Sequence, residues 1–273
     1  MRGAERRFGA VSPAFFETNP HACGNRQPNV KIRFDIDQID LKTPARDQPR
    51  YSIADASGYL NVPKATLSSW FYGTTYGKGG SRSNFDPVLD PASLEPRLLS
   101  FDNLAEAFVL RMFRTKDKIQ LRTIGLAIQN ARDRLGIEKP LLHENLFRGG
   151  KDLFLETAGQ ITGLTDPVQL LLPHWESFLE RVHYRDKAVA AIYPLTRPVE
   201  TESPSIVSIS PDFSFGSSVI DRTKVRTSVI AERYIGGDSV IQIANDFRCR
   251  SEEVEEAIRA EWIFSNAQQK QAA

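Results

Sequence analysis

YSIADASGYLNVPKATLSSWFYG, residues 51–73, reads as two short helices joined by a tight turn. Ser52 with Asp55 three residues on is a capping box, in which two side chains satisfy free amides at a helix start. Ile53, Ala56, Tyr59 and Leu60 follow at helical spacing and predict one buried face. Asn61-Val62-Pro63 breaks that helix, and Pro63 suits the first turn of the next, where a missing N–H costs nothing. Ala65, Leu67, Trp70 and Phe71 are expected to anchor the second helix inward. Lys64, Thr66, Ser68 and Ser69 are left on its outer face. A short second helix with a small, polar and basic outer face is what reading a DNA major groove requires. The plainer alternative is a helical hairpin followed by a solvated loop.

Charge favours the first reading. No Asp or Glu lies between Asp55 and Asp86, a window that holds Lys64, Lys78 and Arg82. The whole chain is nearly neutral at +1, so this is a local patch rather than a global bias. Binding phosphates there would release counterions. Residues 74–85, TTYGKGGSRSNF, carry glycines for positive φ and Tyr76, Lys78 and Arg82 for phosphates. They predict the hairpin of a winged helix-turn-helix. The DNA-contacting set expected from these residues is Lys64, Thr66, Ser69, Tyr76, Lys78 and Arg82.

The rest of the chain sets the outer limits. A length of 273 residues allows about two domains, and 41% hydrophobic with 25% charged residues is ordinary for a soluble protein. No apolar run approaches the roughly 20 residues that cross a bilayer. The Arg-rich start lacks the apolar core of a secretory signal. Two cysteines make no disulfide framework, which fits a reducing, cytoplasmic setting.

Four zones and a tail follow. Residues 1–48 read as a leader rich in Pro, Gly, Asn and Arg, with one strand signalled by Val30, Ile32, Phe34 and Ile36. Residues 49–99 hold the winged helix-turn-helix. Residues 100–200 read as helices and a hairpin: Ser100 caps a helix with Leu104, Phe108 and Met112 on one side. A second helix carries Leu121, Ile124, Ile128, Ala131 and Leu135 and stops at Gly136. Residues 151–162 suggest a hairpin, residues 189–193 a strand, and the prolines of 194–204 a linker. Residues 205–264 read as a small three-helix unit with short strands at 206–209 and 219–220. Ser239 and Gln242 form a capping box there, and Ile241, Ala244 and Phe247 are expected to pack inward. Its last helix is expected to bury Val254, Ala257, Ile258 and Trp262. It also carries Glu252, Glu253, Glu255, Glu256 and Glu261 against Arg259, an acidic face that phosphates would repel. Residues 265–273 form the tail. The fold class is therefore α+β, mainly α.

Catalytic and metal chemistry find little footing. Asp35, Asp37 and Asp40 read as an exposed strand face, and His21 with Cys23 is half of a zinc set. His174 with Glu176 and His183 with Asp186 lack a nucleophile. P-loop, dinucleotide, GxSxG and HExxH patterns are absent. The expectation is a protein that is not an enzyme and carries no cofactor.

Two resemblances sharpen the reading. Residues 210–258 are similar to a small helical family catalogued as a domain of unknown function and common in antitoxins encoded beside PIN-domain toxins. Pro211, Phe215, Gly216, Val219, Ile220, Arg226, Thr227, Gly237, Asp238, Ser239, Ile243 and Ala244 carry the likeness. Residues 51–73 resemble the MerR-type winged helix-turn-helix through Tyr51, Ile53, Ala56, Leu60, Val62, Thr66, Leu67 and Trp70. That pattern often has a basic residue just after the Thr-Leu pair, where this chain has Ser68. The combination, over roughly residues 50–264, looks like the larger VapB-type antitoxins. The resemblance implies binding and silencing of a VapC-like PIN ribonuclease, repression of the chain's own operon, and a homodimer on operator DNA. Arg2, Arg6 and Arg7 of the leader and Lys270 of the tail are the residues expected to reach an acidic nuclease cleft. A stand-alone MerR-like regulator, sensing a small ligand through residues 100–200, is the alternative. A protein adaptor without DNA binding is a third.

Overall fold

The computed structural model describes residues 44–76, 83–115, 120–143, 180–197 and 203–269, and these fall in one compact unit. The leader strand around residues 30–36 and the hairpin around residues 151–162 lie outside the described residues. A two-residue strand β1 (Tyr51–Ser52) leads into helix α1 (Ile53–Leu60), then α2 (Lys64–Tyr72) and the strands β2 (Thr74–Tyr76) and β3 (Ser83–Phe85). Strand β4 (Leu98–Leu99) returns to pair antiparallel with β1. Helices α3 (Phe101–Thr115) and α4 (Leu121–Leu135) follow.

Local chemistry sets these boundaries. Ser52 accepts from the Asp55 amide and Asp55 answers at the Ser52 amide, so the capping box at α1 is complete. Asn61 ends α1 in the left-handed conformation, and the buried Ser57 hydroxyl donates to the Val62 carbonyl at 2.7 Å across the turn. Ser100 and Asn103 cap α3 in the same reciprocal way.

The main core gathers Ala56, Leu60, Leu67, Trp70, Phe71 and the body of α3. Sequence spacing predicts a one-sided α3, but every residue from Phe101 to Leu110 is buried, including Asp102, Asn103 and Glu106. The helix is buried all round in this stretch and runs through the interior rather than along its surface. Ala65 is exposed, contrary to expectation, because Leu67, Trp70 and Phe71 alone satisfy the i, i+3, i+4 inward pattern of α2.

Beyond residue 180 the strands β5 (Val182–Arg185), β6 (Ala188–Ile192), β7 (Val207–Ile209) and β8 (Ser218–Ile220) form one antiparallel sheet in that order. Strand β5 adds to the single strand that alternation signalled near residue 189. Helices α5 (Thr227–Ile235), α6 (Val240–Phe247) and α7 (Ser251–Gln269) close a second core of Ile220, Ile230, Ile243, Ala244, Val254 and Ala257. Residues 194–197, expected as linker, are packed: Pro194, Leu195 and Thr196 are buried.

Two further expectations are corrected. Ile241 is exposed because Val240, Ile243, Ala244 and Phe247 take the inward i, i+3, i+4, i+7 positions of α6. Trp262 is 66% exposed; it stands two residues from the buried Ala260, about 200° round the helix.

Helix α7 also packs on α1. Tyr59 of α1 meets Phe264 edge to face at 5.1 Å, and Tyr51 meets Tyr59 at 6.2 Å. The Tyr51 hydroxyl donates to the Gly216 carbonyl at 2.9 Å. Gly216 lies at φ +72°, and a Cβ there would stand 2.1 Å from the Tyr51 oxygen, so only glycine fits. Phe264→Ala is expected to cost about 3–5 kcal/mol of unfolding free energy, and Gly216→Ala at least about 1–3 kcal/mol. Denaturant titration checks both, and a loss under about 0.5 kcal/mol would contradict the packing described.

Candidate functional site

The outward side of α2 presents Lys64, Thr66, Ser68 and Ser69, all half-buried, on a helix fixed from behind by Leu67, Trp70 and Phe71. Ser69 donates its hydroxyl to the Thr66 carbonyl at 2.7 Å, so its oxygen keeps acceptor capacity outward. Pro63 gives α2 no side-chain cap.

Gly73 then turns the chain at φ +67° into β2, with the Phe85 carbonyl 2.6 Å from where a Cβ would stand. Strand β3 therefore lies directly on the end of α2. Thr74 pairs with Phe85, Thr75 with Asn84 and Tyr76 with Ser83, a hairpin whose tip lies between residues 76 and 83. Tyr76 ends β2; Lys78 and Arg82 lie outside the described residues, as do Arg2, Arg6, Arg7 and Lys270. Lys64, Thr66, Ser69 and the Tyr76 backbone are thus brought onto one helix–hairpin element.

The acidic face expected on α7 is narrower than its sequence. Glu252 and Glu255 are exposed, whereas Glu253 and Glu256 are buried and ion-paired. Arg222 grips Glu253 through two nitrogens at 2.9 and 2.7 Å, and Arg250 adds its backbone amide at 2.8 Å and its guanidinium. Those hydrogen bonds, Arg222 foremost, outweigh burial and hold the Glu253 carboxyl at about 2. Glu256 takes the Thr196 hydroxyl and the guanidinium groups of Arg197 and Arg259. Glu261 accepts from Ser218 and Thr227. The missed signal is that Glu253 and Glu256 share the helical register of Val254 and Ala257.

An apolar corner stands at the joint of α5 and α6. Ile235 is 80% and Ile241 68% exposed on either side of the Gly236-Gly237 turn, with Tyr234 beside them. Arg233 stiffens it by pairing with Asp238 at 2.6 Å and Asp246 at 2.7 Å, over the Phe247 ring.

A cleft of about 500 Å³ opens between α3, the end of α4 and residues 136–139, lined by Asp90, Glu106, Arg132 and Lys139. Asn103 donates to one oxygen of Glu106 at 3.2 Å; the other, Oε1, has no partner among the described residues. Burial pushes the Glu106 carboxyl up to about 7, against the pull of Asn103, Lys139 and Arg132. Lys139 bridges Asp47 at 2.6 Å and Asp102 at 2.8 Å, and Asp102 also receives Arg46. Burial disfavours the Lys139 ammonium, but its bonds to Asp102 and Asp47 win and hold its pKa above the ordinary lysine value.

His183 is exposed on β5 and Asp186 sits in the following turn. Among the described residues, no three His, Cys, Asp or Glu side chains are grouped to hold a metal. Among the same residues, no helix is long and apolar enough to cross a membrane.

Comparison with known proteins adds four findings. Residues 207–259 match the family described as "Protein of unknown function (DUF433)". The chain is 24% identical to Rv2308 of Mycobacterium tuberculosis over 224 residues, 79% of this chain and 91% of that one. It is 24% identical over 232 residues to a protein of the same organism named "Putative antitoxin VapB45", covering 78% of this chain and 94% of the relative. The crystal structure of Rv2018 from Mycobacterium tuberculosis superposes with a TM-score of 0.57 at 22% identity, over 77% of this chain and 98% of that chain. At that identity the likeness establishes the fold alone.

The DUF433-matched segment contains Glu253, whose titration is measurable. Its folded pKa of about 2 lies below the usual carboxylate value, so its stabilisation is complete above about pH 4.5 and fades as pH falls toward 2. Glu253→Gln is expected to cost roughly 1–3 kcal/mol at pH 7. Urea titrations at several pH values should show the gap between variant and parent closing below about pH 4. A gap that stays constant with pH would show that the ion pairs contribute nothing.

Proposed function

We propose that this chain is the antitoxin of a type II toxin–antitoxin pair. In this reading it neutralises a PIN-domain, VapC-like ribonuclease and represses its own operon by binding operator DNA as a homodimer. The observation that carries the reading is the chain's alignment with VapB45 across nearly all of that relative's length. A helix pair with a following hairpin, in one unit with a DUF433-like segment, supports it.

The division of labour follows from charge. The α2–hairpin element has no carboxylate between Asp55 and Asp86 and takes the DNA. Lys64, Thr66 and Ser69 face the groove, and Tyr76, Lys78 and Arg82 hold the flanking phosphates as a MerR-like wing. The C-terminal unit exposes Glu252 and Glu255 together with the Ile235–Ile241 corner, which suits a protein partner better than phosphates. Arg2, Arg6, Arg7 and Lys270 are the basic groups proposed to reach the acidic nuclease cleft. The polar cleft at Glu106 favours a second reading, a MerR-like regulator that senses a small ligand.

Two measurements test the proposal. Lys78→Ala with Arg82→Ala is expected to weaken binding to the chain's own promoter alike on any sequence. It should also lower the log–log salt slope by about 2, read by fluorescence anisotropy. An unchanged slope removes the wing. Co-expression with a PIN-domain protein encoded beside this chain should give a stoichiometric complex. Ile235→Asp with Ile241→Asp should lose that complex while keeping the parent melting temperature. No complex with the parent chain would sink the antitoxin reading, whereas one that survives the double variant moves the contact to Arg2, Arg6, Arg7 or Lys270.

A further inference from the structure

We propose that the cleft floored by Glu106 binds an organic cation, an ammonium or guanidinium group that pairs with the Glu106 carboxylate. The site is independent of whether the chain neutralises a toxin.

The argument is a count of donors. Glu106 is 2% exposed, on a helix buried all round it, and Oε1 has no partner among the described residues. A buried acceptor left unmatched is costly, the more so if charged. The donors around it are engaged elsewhere, and none of them reaches Oε1. Asn103 Nδ2 serves the Asp90 carbonyl at 2.8 Å and Glu106 Oε2. Lys139 is held by Asp47 and Asp102, and Arg132 by the Glu138 carbonyl at 3.0 Å and Asp90 at 2.9 Å. Glu106 Oε1 is left without a donor although Arg132 and Lys139 line the same cleft.

Charge selects the kind of donor. Arg46 and Lys139 are together matched by Asp102 and Asp47, and Arg132 by Asp90. An ionised Glu106 is left without a cation of its own, and Glu138, which also lines the cleft, adds a further negative charge. A neutral donor would satisfy the oxygen, but only a cation also offsets the buried charge. A metal ion fits less well, since the described residues hold no group of three ligands. At about 500 Å³ the cleft has room for a small diamine or for one basic side chain of another chain.

Isothermal titration of the full-length protein with agmatine, which carries both groups, tests the proposal. The peptide Gly-Arg-Gly and neutral 1,4-butanediol are run beside it. Agmatine is expected to bind and butanediol not to. Binding of the peptide as well would point to a basic side chain as the natural source, and agmatine alone to a free amine. Glu106→Gln, which keeps the shape but not the charge, should lower affinity at least tenfold. The parent protein gives an independent reading through pH. The cation binds the carboxylate, so a proton competes below the Glu106 pKa of about 7, and affinity should rise about tenfold from pH 6 to pH 8. No heat with either cation, equal binding by Glu106→Gln, equal binding of butanediol, or a flat pH profile would each overturn the site.

Discussion

Helix α1 is held from two sides, and the rest of the molecule is arranged around that constraint. Ala56, Ser57, Gly58 and Leu60 are buried on it, while Tyr59 reaches Phe264 of α7. One residue before its cap, Tyr51 pairs with Leu99 and donates a hydrogen bond from its hydroxyl to the Gly216 carbonyl. The tyrosine hydroxyl is pushed well above its ordinary pKa, chiefly by burial, and so stays a donor across the physiological range. These contacts join the helix–hairpin element to the C-terminal sheet and helices.

The interior is unusually rich in carboxylates, and their treatment differs with place. Asp102, Glu253 and Glu256 each meet at least two cationic side chains, so their charge is neutralised where it is buried. The partners come from distant segments: Arg46, Lys139, Arg197 and Arg222 each pin a loop onto a helix. Such pairs add little net stability against an apolar core, but removing one partner is costly. Their effect is to fix loop positions that no regular backbone ladder specifies. Glu106 stands apart, buried to the same degree with a single side-chain donor.

Local signals were legible, and remote ones were not. Both α1 and α6 begin at capping boxes readable from four-residue patterns, and Ser100 could be placed as a cap for the same reason. The helix pair at 53–72 follows from spacing and one proline. What could not be read depends on residues far apart in sequence. The burial of Glu253 and Glu256 requires Arg222 and Arg197, and the inward packing of 194–196 requires α7. Apolar character alone does not place Ile241 and Trp262, because helical register turns both positions outward. For the candidate site, α2 and its hairpin were visible as a local pattern. The Glu106 cleft was not, because it is assembled from α3, α4 and the loop after α4.

The sheet order β5-β6-β7-β8 has a consequence for how such chains diversify. The segment matched by DUF433 begins at β7, inside the sheet, and its Glu256 is answered by Thr196 and Arg197 upstream. A gene fragment cut at the edge of the recognisable pattern would therefore carry an unpaired strand edge and a buried carboxylate stripped of two partners. Recombination that respects the sequence boundary breaks the folded one. Exchange between relatives should succeed where the hairpin of β5 and β6 travels with the segment it supports, making the heritable unit longer than the visible motif.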